Sequence, residues 1–227
     1  ASRLVSGIRT HTTSDDRALI IADGITLTAP AETAVDMARS RHPAVGLASA
    51  DAILRLDDTS SREHLQVLNS TRATKRGREI ARWALERATP EAETAFESVS
   101  RAVIEWLGFP PPVLQQTFVA ATGETDRSDC VWEAASLAGE ADGDLKFDGR
   151  YGDAAAFLRQ QRARDARLRQ HVRMVVHWGW HDVTTFSPLA SLLRGAGLQR
   201  TAPENVAALT SMRQVLAARS PHPTAQG

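Results

Sequence analysis

The chain has 227 residues, of which 42% are hydrophobic and 24% charged, and this composition excludes a disordered, collagen-like or disulfide-stapled protein. The 27 acidic residues equal the 27 lysines and arginines, and this formal net charge of zero by itself argues against a nucleic-acid partner, although a sum does not describe how charge is distributed. No apolar run approaches the ~18–20 residues of a membrane span, and the single cysteine is typical of a reducing compartment. We therefore expect a cytoplasmic protein with no membrane partner.

Residues 1–88 predict an N-terminal region made of a small hairpin and helices. Two short apolar runs within residues 18–28 flank Asp23-Gly24, and glycine tolerates the positive φ that a two-residue hairpin turn needs. Pro30 suits the first turn of a helix, and apolar residues at helical spacing continue it and predict three more helices. These further helices are expected at residues 43–56, 62–69 and 76–88.

The spacing of apolar residues changes after Thr89-Pro90, and the new pattern predicts a mixed sheet. Three meandering strands are followed by a helix and a fourth strand, with further helices before and after. The strands are expected at residues 113–121, 128–134, 137–142 and 172–178, and the helices at 91–107, 153–170, 187–195 and 203–217. This order predicts an α/β (α+β) fold with a mixed central sheet flanked by helices. We assign residues 89–200 to this domain and residues 201–227 to a C-terminal helix and mobile tail.

Three acidic residues lie on two neighbouring predicted strands. Asp129 stands near the start of the second strand, and Glu140 and Asp142 point to one face of the third because they are two residues apart. A divalent cation such as Mg²⁺ would relieve the repulsion between these carboxylates, with Glu97 of the preceding helix nearby and Lys146 stabilising charge. The chemistry of such a site is phosphodiester hydrolysis. The alternative is a solvated acidic edge of the sheet without a metal.

The zero net charge hides two oppositely charged segments. Residues 124–153 contain nine acidic and three basic residues, whereas residues 154–173 contain six arginines and one aspartate. Four of these arginines recur at steps that place them along one helical face and its exit, where they would bind the phosphates of DNA. They are Arg159, Arg162, Arg169 and Arg173. The alternative is a solvated helix whose arginines pair with the acidic segment.

Two other features have a structural and a chemical interpretation. The segment from His177 to Asp182 ends the fourth strand, where an acid/base or base-stacking role competes with a capped turn, and we favour the capped turn. Cys130 lies among acidic residues, which disfavour a reactive thiolate, so we expect a small buried side chain rather than a nucleophile.

Short segments within residues 94–183 are similar to the nuclease domain related to the very-short-patch-repair endonucleases, in the PD-(D/E)XK superfamily. The segments that carry the resemblance are Phe96-Glu97-Ser98, Ser128-Asp129-Cys130-Val131-Trp132, Gly139-Glu140-Ala141-Asp142-Gly143, Arg164-Asp165-Ala166-Arg167-Leu168 and Val172-Arg173-Met174-Val175-Val176-His177-Trp178-Gly179-Trp180. Residues 1–56 resemble the middle part of actinobacterial proteins that carry this nuclease domain at their C-terminus. In those proteins the matching stretch follows a winged-helix segment like that of abortive-infection antitoxins, which is absent from this sequence.

The resemblance implies a restriction-endonuclease-like core in residues 89–200 and a DNA endonuclease that uses Mg²⁺ or Mn²⁺, acting in defence, toxin–antitoxin function or repair. It matches Asp129 and Glu140 to the acidic metal ligands, Glu97 to the helix acid and Asp142 to the second acid of a Glu-x-Asp-Gly variant. The superfamily's lysine two residues after the strand acid is missing, and Lys146 is the candidate for its role. This departure leaves open a non-catalytic DNA-binding or antitoxin-like regulator with a degenerate nuclease fold, and also a protein-interaction module. The implied partner is DNA, with a protein partner or a homodimer as open alternatives.

Overall fold

The computed structural model describes residues 2–5, 8–11, 15–120, 123–142 and 154–217. The chain divides into two compact units, Ala1–Thr89 and Pro90–Gly227, and each unit buries apolar side chains of its own. No helix within the described ranges is long and apolar enough to cross a membrane.

The described part of the first unit begins with two antiparallel hairpins. Strand β1 (Ser2–Val5) pairs with β2 (Ile8–His11), and β3 (Leu19–Ala22) pairs with β4 (Ile25–Thr28). Asp23 and Gly24 connect β3 to β4 with φ of 50° and 77°, as a two-residue turn between right-twisted strands requires. The β3–β4 hairpin confirms the prediction from the Asp-Gly signal, whereas the β1–β2 hairpin was not predicted.

Helices α1 to α4 complete the first unit and confirm the helical interpretation of its sequence. They span Pro30–Ser40, Pro43–Leu56, Arg62–Thr71 and Arg78–Arg87. Apolar side chains such as Val35, Leu47 and Leu85 are fully buried among them. A buried ion pair between Arg72 and Glu32 joins the end of α3 to α1.

The second unit contains a mixed four-stranded sheet flanked by helices. Its described strands are β5 (Val113–Val119), β6 (Thr125–Trp132), β7 (Leu137–Ala141) and β8 (Met174–Trp178). Its described helices are α5 (Ala95–Trp106), α6 (Ala154–Leu168), α7 (Trp180–Thr185), α8 (Ser187–Gly195) and α9 (Val206–Ala217). Strands β5, β6 and β7 are antiparallel neighbours in chain order, and β8 pairs parallel to β7 after the crossover helix α6. This order confirms the predicted α+β fold with a mixed central sheet.

Some helix boundaries in the second unit differ from the sequence prediction because a side chain caps the helix, as at the helices α5 and α7. Helix α5 begins at Ala95 rather than near residue 91, since the Thr94 hydroxyl accepts a hydrogen bond from the Glu97 backbone N–H at 3.1 Å. After β8, the expected capped turn continues into the short helix α7. The Asp182 carboxylate begins that helix by accepting a hydrogen bond from the Gly179 N–H at 2.9 Å.

A glycine in the middle of β7 lets two tryptophan rings pack against the sheet. A Cβ atom at Gly139 would lie 2.5 Å from the ring of Trp178 and 3.1 Å from the ring of Trp132. The Trp178 indole N–H also donates to the Ser100 hydroxyl on α5 at 3.0 Å, which ties β8 to that helix. The next residue on β7, Glu140, points to the opposite face of the sheet.

Candidate functional site

Glu140 is a buried carboxylate on β7 that is held by the crossover helix α6. It is 3% exposed, and its Oε2 accepts a hydrogen bond from Arg164 Nη1 at 2.8 Å. Its other oxygen, Oε1, is buried and has no hydrogen-bond partner among the described residues. The Arg164 guanidinium also donates to the Arg127 carbonyl on β6, so it bridges α6 to two strands. Arg164 thus supplies the positive charge that a carboxylate buried at this position needs.

Asp129 on β6 is a second carboxylate in an unfavourable environment. Burial, and then the negative charges of Glu140 and Glu97, raise the pKa of Asp129 to about 6. Its Oδ2 accepts a hydrogen bond from the Ala141 N–H at 2.9 Å, which together with Arg164 opposes that rise. The negative charge of Glu140 therefore acts directly on Asp129 in the structure.

Removal of the Asp129 carboxylate is expected to change the pH dependence of stability. The carboxyl ionises at about 6 in the fold and near its ordinary pKa of 3.8 when unfolded. Because the folded pKa is raised, the protonated group stabilises the fold below pH ~4, and this contribution is lost as the pH rises through ~6. The unfolding free energy of wild type minus that of Asp129→Asn should fall by about 2 kcal/mol between those limits. Urea unfolding of both proteins in EDTA at several pH values measures this difference in unfolding free energy. A difference that does not vary with pH would contradict the prediction.

Asp142 is directed toward a histidine rather than toward the other two acids. Its Oδ2 accepts hydrogen bonds from His177 Nδ1 at 2.6 Å and from Gln161 Nε2 at 3.1 Å. The other ring nitrogen of His177, Nε2, lies 3.2 Å from both oxygens of Asp165 on α6. Burial opposes ionisation of the ring, but the hydrogen bond and charge of Asp142, followed by Asp165, outweigh it and raise the pKa of His177.

Glu97 has a structural task at the start of α5. Its Oε1 accepts a hydrogen bond from the Thr94 hydroxyl at 2.9 Å, and its Oε2 accepts from the Glu93 N–H and from Gln115 Nε2, each at 2.9 Å. Thr94 in turn caps the helix, so the two residues form a reciprocal capping pair. The Thr-x-x-Glu spacing was readable in the sequence, although we interpreted Glu97 only as a member of the acidic site.

The predicted metal site is only partly assembled in the structure. Across the described ranges, no group of three or more His, Cys, Asp or Glu side chains has an arrangement that could hold a metal ion. Asp129 and Glu140 are electrostatic neighbours, Asp142 bonds to His177 and Gln161, and Lys146 lies outside the described residues. Binding of Mg²⁺ or Mn²⁺, and any reaction that it would support, stays a prediction.

The arginines of and after α6 lie in different environments. Arg159 and Arg162 are exposed on the helix, and Arg169 is about half exposed while lying 3.4 Å from Asp165. Arg173 donates a hydrogen bond from its guanidinium to the Ala196 carbonyl. The four arginines predicted to bind DNA therefore have different environments, and their role in DNA binding stays a prediction.

Two arginines that the sequence analysis did not single out carry the main contacts between α6 and the sheet. Arg164 binds Glu140, and Arg167 donates from Nε and Nη2 to the two oxygens of Asp126 at 2.6 and 2.7 Å. That hydrogen-bonded pair lowers the pKa of Asp126, although burial of the carboxyl opposes the change. Their spacing of three residues indicates that they share one face of α6, but the sequence does not show that this face is the one toward the sheet.

Cys130 is a buried side chain, as the sequence analysis expected. It is 2% exposed, and burial, followed by the nearby negative charge of Asp129, raises the pKa of its thiol. The thiol is therefore a small apolar group of the sheet rather than a nucleophile.

Comparisons with known proteins match part of this chain. Residues 4–86 match the AbiEi antitoxin C-terminal domain family. Two Mycobacterium tuberculosis relatives, the uncharacterized proteins MT2308 of strain CDC 1551 / Oshkosh and Rv2248 of strain ATCC 25618 / H37Rv, are each 37% identical over 113 residues. Each alignment covers 50% of this chain and 41% of the relative, so the match spans less than half the length of each relative. No solved structure matches the chain.

The match corrects the assignment to the very-short-patch-repair-like endonucleases. The family that matches is an antitoxin family, it lies in residues 4–86, and it conflicts with a description of the chain as a nuclease. The resemblance was wrong because it rested on short segments rich in acidic and apolar residues. In the structure, two of these acids form hydrogen bonds within the fold: Glu140 binds Arg164, and Asp142 binds His177.

Proposed function

We propose that the chain is a non-catalytic, antitoxin-like regulator whose first unit binds a protein toxin. The observation that carries this proposal is the match of residues 4–86 to the AbiEi antitoxin C-terminal domain. The proposed binding would take place through a surface of this unit. The described residues of the first unit offer one such surface.

That surface is the β3–β4 hairpin, which exposes large apolar side chains on both of its faces. Ile21 is 78% exposed and Ile25 is 62% exposed, and they lie on opposite faces because Ile25 pairs with Ala22. Leu19 and Leu27 add to the two faces, at 60% and 45% exposure. A two-stranded hairpin with apolar residues left in water is marginal by itself, and such a patch typically marks a protein-binding site.

The contacts of the second unit support a non-catalytic role. Glu140 and Asp142 have partners on α6 and β8, and Glu97 binds the hydroxyl of Thr94, the residue that caps α5. Each of these acids therefore has a role in holding the fold together that needs no substrate or metal. Contact with DNA through the exposed residues Arg159 and Arg162 would suit a regulator, and the one buried cysteine suits a cytoplasmic protein.

A growth-rescue selection tests the proposal. Reading frames of the source genome are expressed singly from an inducible promoter, and the chain is expected to restore growth to cells that one toxin frame arrests. The double variant Ile21→Asp, Ile25→Asp should lose this rescue and bind the purified toxin at least ~100-fold more weakly, since two apolar side chains leave the interface. Isothermal titration calorimetry gives the affinities.

A matched control separates the hairpin from general apolar exposure. Leu56, at the end of α2, is 74% exposed and lies outside the hairpin, so Leu56→Asp should rescue like the wild type. Rescue by the hairpin variant equal to wild type would reject the hairpin as the binding surface. A selection that yields no rescued toxin frame would reject the antitoxin function.

A further inference from the structure

A cavity of about 340 Å³ lies in the second unit between the end of α5 and helices α8 and α9. Its apolar part is formed by Leu107, Phe186 and Leu209, which are buried, and by Val206, which is exposed at its rim. The volume lies near the lower end of the range for small-molecule sites, about 300–1,000 Å³. None of its lining residues belongs to the acidic site around Glu140, so the cavity is a separate feature.

The lining of this cavity is positively charged. Arg194 on α8, Arg200 in the following loop and Arg213 on α9 contribute three guanidinium groups, against the single carboxylate of Glu204. Arg200 pairs with Glu204, so the remaining positive charges of the lining belong to Arg194 and Arg213. Arg194 donates from Nε to the Ala190 carbonyl at 3.3 Å, a hydrogen bond that does not use its terminal nitrogens. No carboxylate among the described residues forms an ion pair with Arg194 or Arg213.

Two features of the cavity favour the binding of an anion. The guanidinium of Arg213 lies 4.9 Å from the centroid of the Phe186 ring, a cation–π contact that orients its fork of donors in advance. Helix α8 has nine residues and begins at Ser187. The positive end of its helix dipole therefore lies at Ser187. Ser187 and Thr210 also line the cavity and add hydroxyl donors. The charged groups and the hydroxyl groups thus line the same cavity as the apolar residues.

We infer that this cavity binds a small phosphorylated ligand of mononucleotide size. The phosphate would take charge-assisted hydrogen bonds from Arg194 and Arg213, because the planar guanidinium fork matches phosphate oxygens. The apolar part of the ligand, such as a base, would lie against Val206 and Leu209. The inference is independent of the antitoxin-like function, since every lining residue belongs to the second unit.

Calorimetric titration of the full chain with AMP and GMP at constant ionic strength tests this inference. Both nucleotides should bind, and adenosine, which lacks the phosphate, should bind at least tenfold more weakly. Arg194→Gln should weaken nucleotide binding at least tenfold without disturbing the fold, because its side chain makes one backbone contact. Arg213→Lys keeps the charge but removes the fork, and it should also bind at least tenfold more weakly. Near-ultraviolet circular dichroism checks that both variants are folded.

The control is Arg82→Gln, which removes an exposed arginine from a helical pair with Glu79 in the first unit and should bind like the wild type. Failure of both nucleotides to bind at about 5 mM, a weaker affinity than a functional site would have, overturns the inference. Equal binding of inorganic phosphate and AMP overturns it as well, because the apolar residues of the cavity would then contribute nothing. Wild-type affinity in folded Arg194→Gln has the same consequence.

Discussion

Replacement of Arg164 by methionine is expected to lower the free energy of unfolding by about 3 kcal/mol, because it leaves a buried carboxylate without its positive partner. Glu140 is 3% exposed, its Oε2 depends on Arg164 at 2.8 Å, and its Oε1 is already unpartnered among the described residues. The value is at the low end for a buried pair since the Arg164 side chain is 30% exposed and water reaches it. Urea unfolding at neutral pH measures the loss.

A second substitution and a matched arginine distinguish a buried pair from a surface one. Glu140→Gln combined with Arg164→Met should recover most of the stability, because the charge is then removed from both sides. Arg169 is the control, as its side chain is 51% exposed and pairs with Asp165 at 3.4 Å, so Arg169→Met should cost less than ~1 kcal/mol. Equal losses in the two arginine variants would contradict the structural role of Arg164. Added Mg²⁺ that restores the stability of Arg164→Met alone would instead support the predicted cation site.

Replacement of Gly108 by alanine is expected to cost about 3 kcal/mol and roughly 10 °C in Tm. Gly108 follows α5 with φ of +85°, and a Cβ atom there would lie 2.1 Å from the Ala202 carbonyl oxygen. The chain approaches this closely because the Gly108 carbonyl accepts hydrogen bonds from the Thr201 and Ala202 N–H groups at 2.9 and 3.2 Å. The substitution therefore strains the backbone and separates the segment before α9 from the end of α5.

Gly123 is the matched control for this substitution. It has nearly the same φ, +87°, but a Cβ atom there would meet nothing within 4 Å. Gly123→Ala should therefore show the backbone strain alone, about 1 kcal/mol. Differential scanning calorimetry of the two variants separates strain from collision. Equal losses of Tm at the two positions would show that the contact with Ala202 does not limit the substitution.

The secondary structure was largely predictable because its signals are local. The Asp23-Gly24 turn, Pro30 and Pro43 at helix starts, and the alternation of apolar residues each act over a few residues of chain. The α+β order of the second unit followed from these signals together with the rule for crossover connections. Helix α5 begins at Ala95 rather than near residue 91 because Thr94 caps it, and the Thr-x-x-Glu pattern of this cap is also a local signal.

The acidic site was predictable only up to the faces of its strands. The period of two along the strand predicted at residues 137–142 put Glu140 and Asp142 on one face, and the predicted order of strands put Asp129 on the neighbouring strand. The hydrogen-bond partners of these carboxylates could not be predicted from strand periodicity. Arg164 is 24 residues from Glu140 in the chain, and His177 is 35 residues from Asp142. The assignment to a nuclease family failed at this step, since acids that suggest a metal site equally suit internal ion pairs.

The sequence by itself determined the hairpin, most helix and strand boundaries and the mixed sheet, because turn chemistry and hydrophobic periodicity act between near neighbours. Only the tertiary structure decided that Arg164 neutralises Glu140, that Asp142 binds His177, and that arginines line a cavity beside Phe186. Charges distant in the chain interact strongly only when packing brings them within a few ångströms and removes the water between them. Identical residue types can therefore form a metal site, an ion pair or an anion site, and the packing of α6, α8 and α9 selects among these outcomes.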